Sequence, residues 1–91
     1  MNIEFTTTAW EDLTYWIERD MSIVKKIKEL LTAVTKTPTK GIGKPEPLKH
    51  EFKGCWSRRI NREHRLVYKL TGKSKYDQKC IVLQCRYHYD K

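Results

Sequence analysis

Long apolar runs, paired cysteines and acidic side chains are all scarce in this sequence. The longest apolar run falls far below the ~20 residues that a membrane-crossing helix needs, which argues against a membrane protein. Three cysteines are an odd number, and this suits a reducing compartment better than a disulfide framework. The N-terminus has no basic stretch followed by an apolar run, so we expect no signal peptide and a cytoplasmic location.

Basic side chains are abundant instead: 19 Lys and Arg stand against 11 Asp and Glu, a formal net charge of +8 in 91 residues. Such an excess in a small protein favours a polyanionic partner, although charge alone leaves open a merely soluble basic protein. Apolar residues make up 38% and charged residues 33%, a balance typical of globular rather than disordered chains. The length predicts a single domain over residues 1–91.

The first half of the chain predicts a short strand followed by two helices. Residues 2–5 favour a strand, and the spacing of Thr8 and Glu11 matches a capping box at a helix start. A second helix is expected from near Asp20 until Pro38 disfavours helix at its predecessor. Because few residues separate the two helices, they should form an antiparallel hairpin. The apolar positions that follow the helical period are Trp10, Leu13, Trp16, Ile17, Ile23, Val24, Ile27, Leu30, Leu31 and Val34.

The second half predicts strands. After a loop rich in Gly and Pro over residues 36–47, the apolar period changes from helical to strand-like. In the strand expected over residues 65–70, Leu66, Tyr68 and Leu70 share one face. The fold class that follows is α+β, with two N-terminal antiparallel helices packed on a twisted, mostly antiparallel sheet of four to five strands. Strands are predicted over residues 48–52, 56–60, 65–70 and 80–85.

A carboxylate, several basic side chains and a histidine could together cleave RNA without a metal. Such cleavage needs a base for the ribose 2′-hydroxyl, positive charge for the phosphate and an acid for the departing 5′-oxygen. Glu46 lies between Pro45 and Pro47, whose rings hold the backbone extended. An exposed loop glutamate without a role is the simpler interpretation of Glu46 alone.

The candidate phosphate-binding groups are arginines on strands that flank a tight turn, together with Lys49. Arg59 and Arg65 could approach each other on one sheet face if the strand register allows it, and Arg58 lies beside them in the sequence. An arginine presents a rigid, permanently charged fork to phosphate oxygens. Solvated strand arginines are equally common, so the pattern by itself leaves both interpretations open.

Near the C-terminus, His88 could donate a proton to a leaving oxygen, since histidine titrates near neutrality. Tyr89 could stack on a base or bind a phosphate oxygen, although terminal residues are often inert. We interpret His64, in the turn before Arg65, as structural or as a contact at the rim of the site.

Metal binding and cysteine chemistry are weaker hypotheses. Cys80, Cys85 and His88 have a spacing that matches no common zinc pattern, so we expect neither a metal nor another cofactor. Cys85 falls in a mostly apolar strand, which favours packing over a role as nucleophile.

Four sequence blocks resemble the YoeB (Txe) toxins of the RelE/ParE superfamily. They are GIGKPEPLKH over residues 41–50, GCWSRRI over residues 54–60, EHRLVY over residues 63–68 and CRYHY over residues 85–89. The helical half is similar through Trp10, Tyr15, Trp16 and residues 23–27. The chain departs from the family pattern in a longer link over residues 71–79, in the added residues 90–91 and in Cys55, where the family more often has an aromatic residue.

The resemblance implies a RelE-like fold and ribosome-dependent cleavage of mRNA in the ribosomal decoding site. It also implies homodimerisation and neutralisation by a YefM-type antitoxin. Glu46 would be the general base, His88 the general acid and Arg65 the group that stabilises the transition state. Tyr89 would orient the terminal part of the site. Supporting charge would come from Lys49 and Arg59.

Two non-catalytic functions are compatible with the same fold. One is a gyrase poison of the ParE kind, and the other is a protein that blocks the ribosome by occupying it. The combination of Glu46, Arg65 and His88 argues against the gyrase poison, because a pure binder needs neither an acid nor a base, and a protein that blocks the ribosome would stop translation with the message uncut.

Overall fold

The fold places two helices on one face of a five-stranded sheet, in a computed structural model that describes residues 1–74 and 76–88. The strand order is β1-β5-β4-β3-β2; β1 pairs with β5 in parallel, and the other three pairs are antiparallel. The predicted α+β class, with a mostly antiparallel sheet, is confirmed. The elements are β1 (Asn2–Phe5), α1 (Thr7–Arg19), α2 (Met21–Lys36), β2 (Glu46–Pro47), a 3-10 helix (His50–Phe52), β3 (Cys55–Arg59), β4 (Arg65–Thr71) and β5 (Lys79–Gln84).

Helix α1 begins two residues earlier than the sequence predicts. Thr6 is the N-cap, and its hydroxyl oxygen accepts a hydrogen bond from the Ala9 N–H at 3.1 Å; the prediction of Thr8 as the cap was wrong. The same hydroxyl donates to the Leu83 carbonyl at 3.2 Å, and the Thr6 N–H donates to the Val82 carbonyl. The cap therefore also ties the start of α1 to β5.

Substituting Thr6 with alanine is expected to lower the free energy of unfolding by about 1–2 kcal/mol, because it removes an N-cap acceptor and the bond to β5. Urea denaturation followed by circular dichroism measures the loss. Thr8→Ala is the matched control, and its exposed side chain should change stability by less than about 0.5 kcal/mol. Equal losses in the two variants would show that Thr8 shares the capping role.

Helix α2 begins and ends where the sequence predicts. Asp20 is its N-cap and accepts from the Ser22 N–H, while Thr37 is the C-cap. The hydrogen bond from the Ser22 hydroxyl lowers the pKa of Asp20 below its ordinary value. Within the described parts of the chain, neither helix is both long and apolar enough to span a membrane.

The prediction of a strand over residues 48–52 was wrong. Pairing with β3 covers Glu46–Pro47 and one further bond, from the Leu48 N–H to the Cys55 carbonyl at 2.9 Å. His50 then adopts a left-handed backbone, with φ 57, and a 3-10 turn follows. A left-handed residue ends an extended strand. Residues 48–52 therefore do not continue the strand, and the apolar side chains of Leu48 and Phe52 pack against the sheet.

The sheet has two buried sides. The main core lies between the helices and the face of β4 that carries Leu66, Tyr68 and Leu70, so the predicted alternation is confirmed. On the opposite side Val67 packs with Leu48 and Cys55. We call this second side the far face; in β3 and β4 it carries Cys55, Ser57, Arg59, Arg65, Val67 and Lys69, as the strand register dictates.

Candidate active site

Glu46 lies at the far-face edge of the sheet. Its Cα partner in β3 is Ser57, whose own partner in β4 is Val67. Directly paired residues of antiparallel strands project their side chains to the same side, so the Glu46 carboxylate belongs to the far face. Ser57 and Val67 are almost fully buried, whereas Glu46 is exposed. The exposed carboxylate therefore lies at the edge of a closely packed part of the far face.

Arg59 and Arg65 form a direct cross-strand pair on the same face. The sequence-based expectation that these two arginines could approach each other is therefore confirmed by the register. Arg65 is 8% exposed and Arg59 is exposed. From strand spacings, the Cα atoms of Arg65 and Glu46 are separated by roughly 12 Å, a gap that two long side chains and a phosphate can span.

The turn between β3 and β4 holds the Arg65 guanidinium in place. Its Nη1 donates to the carbonyls of Asn61, Arg62 and His64, at 2.7, 3.2 and 3.1 Å. The turn is itself fixed, because Asn61 Oδ1 accepts from the N–H groups of Glu63 and His64. Nη2 and Nε take no part in these three bonds. A permanent cation is thus presented from a preformed turn.

Arg58 points to the opposite side of the sheet and is fully buried. Its Nε donates to the Tyr68 hydroxyl at 3.0 Å, and Nη1 donates to the Ile42 carbonyl at 3.1 Å. Nη2 donates to the carbonyls of Thr37 and Lys40, both at 2.7 Å. Arg58 is therefore a structural residue that ties the end of α2 and the following loop to the sheet.

Close packing also fixes the loop that leads to Glu46. Gly43 has φ +83, and a Cβ there would lie 2.7 Å from Leu30 Cδ2 and 3.0 Å from Arg58 Cβ. Its carbonyl accepts from the Arg59 N–H at 2.7 Å. Only glycine combines this backbone with this approach, so the sequence GIGKPEP delivers Glu46 to the sheet edge along a defined path.

A cleft of about 300 Å³ is lined by residues 46–52, among them Glu46, Lys49 and Phe52. Lys49 is exposed. The structure thus brings the predicted supporting lysine into the same cleft as the predicted base. Phe52 was not among the predicted site residues.

His88 follows β5 and lines two neighbouring clefts. One is formed with Arg62, Glu63, His64 and Tyr87. The other contains Phe52, which therefore borders both the Glu46 cleft and a His88 cleft. The two predicted proton-transfer residues therefore line clefts that have Phe52 in common. Tyr89, the remaining predicted catalytic residue, lies outside the described residues.

The segment between β5 and His88 is anchored to α1. The Cys85 N–H donates to Asp12 Oδ2 at 3.0 Å, and the Cys85 carbonyl accepts from Trp16 Nε1 at 2.9 Å. Burial raises the pKa of the Asp12 carboxyl, although the Cys85 N–H and the charge of Arg86 oppose that shift. These contacts fix where the chain leaves the sheet.

The cysteines are buried and poorly suited to nucleophilic chemistry. Burial raises the pKa of Cys85 to about 12 and that of Cys80 to about 11, and it also raises the pKa of Cys55. A thiolate is the reactive form, so the interpretation of Cys85 as a packing residue agrees with its environment. Among residues 1–74 and 76–88, no group of three or more His, Cys, Asp or Glu side chains is arranged to hold a metal ion.

Two helices on one face of a five-stranded sheet, with basic side chains gathered on the other face, define the class of small α+β toxins of the RelE/ParE type. The chain belongs to the YoeB family within that class. Residues 5–89 match the family described as YoeB-like toxin of bacterial type II toxin-antitoxin system.

Individual relatives agree with this assignment. The chain is 49% identical over 89 residues to Toxin YoeB of Escherichia coli K12, covering 98% of this chain and all of the relative. A YoeB/ParE toxin from Agrobacterium tumefaciens superposes with a TM-score of 0.94 at 44% identity, over 98% of this chain and 100% of that one.

Solved structures of the Staphylococcus aureus relative include a YoeB-YefM complex and a YoeB dimer. Both superpose with a TM-score of 0.86, at 43% and 44% identity respectively, and the superposition covers 98% of either chain in both cases. The chain is therefore a toxin of a bacterial toxin–antitoxin system.

Proposed function

We propose that this toxin is a metal-independent endoribonuclease that cleaves mRNA in the decoding site of the ribosome. The observation that carries the proposal is the far-face arrangement: Glu46 at the sheet edge, the Arg59–Arg65 pair two residues further along the strands, and His88 in the adjoining cleft. A carboxylate, fixed cations and an imidazole are the groups that RNA transesterification requires.

The proposed reaction uses the ribose as its own nucleophile. Glu46 removes the proton from the 2′-hydroxyl, the 2′-oxygen attacks phosphorus, and the bond from phosphorus to the 5′-oxygen breaks. His88 donates a proton to that departing oxygen. The products are a 2′,3′-cyclic phosphate and a 5′-hydroxyl end, and no external redox partner or metal enters the balance.

In the proposed reaction, Arg65 stabilises the charge that develops on the phosphate. A guanidinium held by three backbone carbonyls needs little reorganisation when the transition state forms, which is the advantage of a preorganised site. Arg59 and Lys49 would add positive charge at the same face, and Tyr89 would complete the terminal side of the site.

The partners we propose are the ribosome, an acidic antitoxin of the YefM type and a second copy of this chain. The net charge of +8 favours ribosomal RNA as a docking surface, because phosphate contacts by Lys and Arg dominate such binding. Complex and dimer structures of the S. aureus relative support the other two partners.

Mapping of 5′ ends on a defined message, with and without ribosomes, tests the proposal. The wild type should cut within ribosome-bound message and leave 5′-hydroxyl ends, while Glu46→Gln should cut about 10²- to 10⁴-fold more slowly because it lacks the base. Both proteins should show the same circular dichroism and thermal unfolding.

Two results would contradict the nuclease assignment, and a third would contradict the role of Glu46. Arrested translation with intact message would indicate a protein that blocks the ribosome. DNA damage with intact message would indicate a gyrase poison. Cleavage by Glu46→Gln at the wild-type rate would leave the fold assignment standing and remove Glu46 from the mechanism.

A further inference from the structure

The backbone of Tyr87 is held at both of its polar groups by the β3–β4 hairpin. Its N–H donates to His64 Nδ1 at 2.7 Å, and its carbonyl accepts from the Arg65 N–H at 3.0 Å. Tyr87 has φ 67, a left-handed backbone that is unfavourable for a residue with a Cβ. These two bonds therefore hold the chain in a conformation that it would not adopt by local preference, one residue before His88.

The ring and backbone of His64, whose Nδ1 is the acceptor, are held in place by neighbouring residues. The imidazole lies edge-on to the Trp16 ring, with 4.7 Å between centroids. The backbone of His64 is fixed by the Asn61 side chain and by a bond from the Ile60 N–H to the His64 carbonyl at 3.0 Å. Trp16 also donates to the Cys85 carbonyl. The ring is thus part of one packed unit with the helix and the departing end of β5.

We propose that His64 is a positioning residue: its neutral imidazole, accepting the Tyr87 N–H at Nδ1, fixes the C-terminal segment and so aims His88 at the scissile phosphate. The catalytic half of this inference rests on the proposed nuclease function. The structural half, that His64 holds residues 87–88 in place, stands on the contacts above and can be tested separately.

The hydrogen bond assigns the tautomer and makes the arrangement sensitive to protonation. A neutral imidazole whose Nδ1 accepts carries its proton on Nε2. In the imidazolium both ring nitrogens are donors, so Nδ1 would oppose the Tyr87 N–H and the bond would be lost. Release of Tyr87 should follow. Among the described residues, the charged and titratable groups near His64 include Asp12 of α1, Arg62 and Glu63 of the turn, Arg65 of β4, and Tyr87 and His88 after β5.

Two substitutions separate the acceptor from the ring. His64→Phe keeps an aromatic ring against Trp16 and removes the acceptor. His64→Asn keeps an acceptor, because its amide oxygen is bonded to Cγ as Nδ1 is. The amide is not protonated at the pH values at which histidine titrates. The two variants differ in whether the hydrogen-bond acceptor remains, and not in charge. If only the packing of the ring mattered, His64→Phe would resemble the wild type more closely than His64→Asn does.

Amide NMR spectra of the full-length protein test the structural half. At about pH 7.5, Tyr87 and His88 should give dispersed amide signals in the wild type and in His64→Asn, and signals near random-coil values in His64→Phe. In acid, once the His64 imidazole is protonated, the wild type should come to resemble His64→Phe, while His64→Asn stays unchanged. Signals in His64→Phe that coincide with the wild type both near neutrality and in acid would overturn the proposal.

Cleavage kinetics on ribosome-bound message test the catalytic half. His64→Phe should lower kcat by about 10²-fold, the scale expected when a reacting group is misplaced by about 1 Å, with KM unchanged; His64→Asn should restore most of the rate. If the NMR result holds and kcat is unaffected, His64 positions the segment without serving catalysis. If no variant and no wild type cleaves message, the nuclease function fails and the NMR result still decides the structural role.

Discussion

Replacing Arg58 with methionine is expected to lower the free energy of unfolding by about 3–5 kcal/mol, although the side chain touches no substrate. The guanidinium is fully buried and donates four hydrogen bonds to oxygen atoms. Hydrogen bonds from a charged donor contribute about 1.5–3 kcal/mol each, not additively. Methionine fills similar space and leaves those acceptors without their donor. Chemical denaturation monitored by tryptophan fluorescence measures the change.

Arg59→Met is the matched control for this experiment. Arg59 is the next residue, carries the same side chain and lies exposed on the far face, so its replacement should change stability by less than about 0.5 kcal/mol. Arg58→Lys should recover little, since one ammonium group cannot reach acceptors spread over Thr37, Lys40, Ile42 and Tyr68. A similar loss in Arg58→Met and Arg59→Met would mean that the buried bonds are not what stabilises the protein.

The same pair of arginines shows what the sequence can and cannot predict about the site. Alternation along a strand guarantees that Arg58 and Arg59 face opposite sides, but not which side is the core. The register of Glu46 against Ser57, and of Arg59 against Arg65, shows which arginine lies on the same face as Glu46. Composition and spacing did not decide whether the arginines bind phosphate or are merely solvated. The sequence motifs shared with the family indicated Arg59 and Arg65.

The helices and main strands follow from periodicity, whereas their ends depend on tertiary contacts. Three consecutive threonines, Thr6, Thr7 and Thr8, stand at the start of α1, and all three have the chemistry of an N-cap. Thr6 is the cap because β1 ends beside β5, where the Val82 and Leu83 carbonyls are available. The turn at His50 could not be predicted from the sequence either, because its left-handed backbone occurs at a residue other than glycine.

The backbone conformation that leads to His88 also depends on tertiary contacts, so it could not be predicted from the sequence. A left-handed tyrosine is uncommon, and nothing in the sequence around Tyr87 suggests one. The sequence interpretation of His64 as structural or as a rim contact was correct in kind, since its ring packs on Trp16 and its Nδ1 accepts a backbone N–H. What it missed is that the backbone held there leads directly to the predicted general acid.

His88→Gln is expected to slow cleavage of ribosome-bound message by about 10²- to 10⁴-fold, the usual contribution of one general acid. Glutamine keeps the polar character of the side chain and cannot supply a proton near neutrality. Single-turnover rates on a message with one defined cut measure the loss, with unfolding curves showing that the fold is intact. A wild-type rate would exclude His88 as the acid.

A sulfur leaving group distinguishes the acid from the base. A 5′-thiolate departs without protonation because it is far less basic than an alkoxide. A message with sulfur in place of the 5′-oxygen at the cut should therefore be cleaved by His88→Gln at nearly the wild-type rate. Glu46→Gln should stay slow on the same message, since the 2′-hydroxyl still has to lose its proton. Restoration of both variants would show that departure of the leaving group limits the rate whichever residue is missing. Restoration of neither would mean that His88 acts by holding the RNA, and its place in the cleft beside Tyr87 would then reflect binding rather than proton transfer.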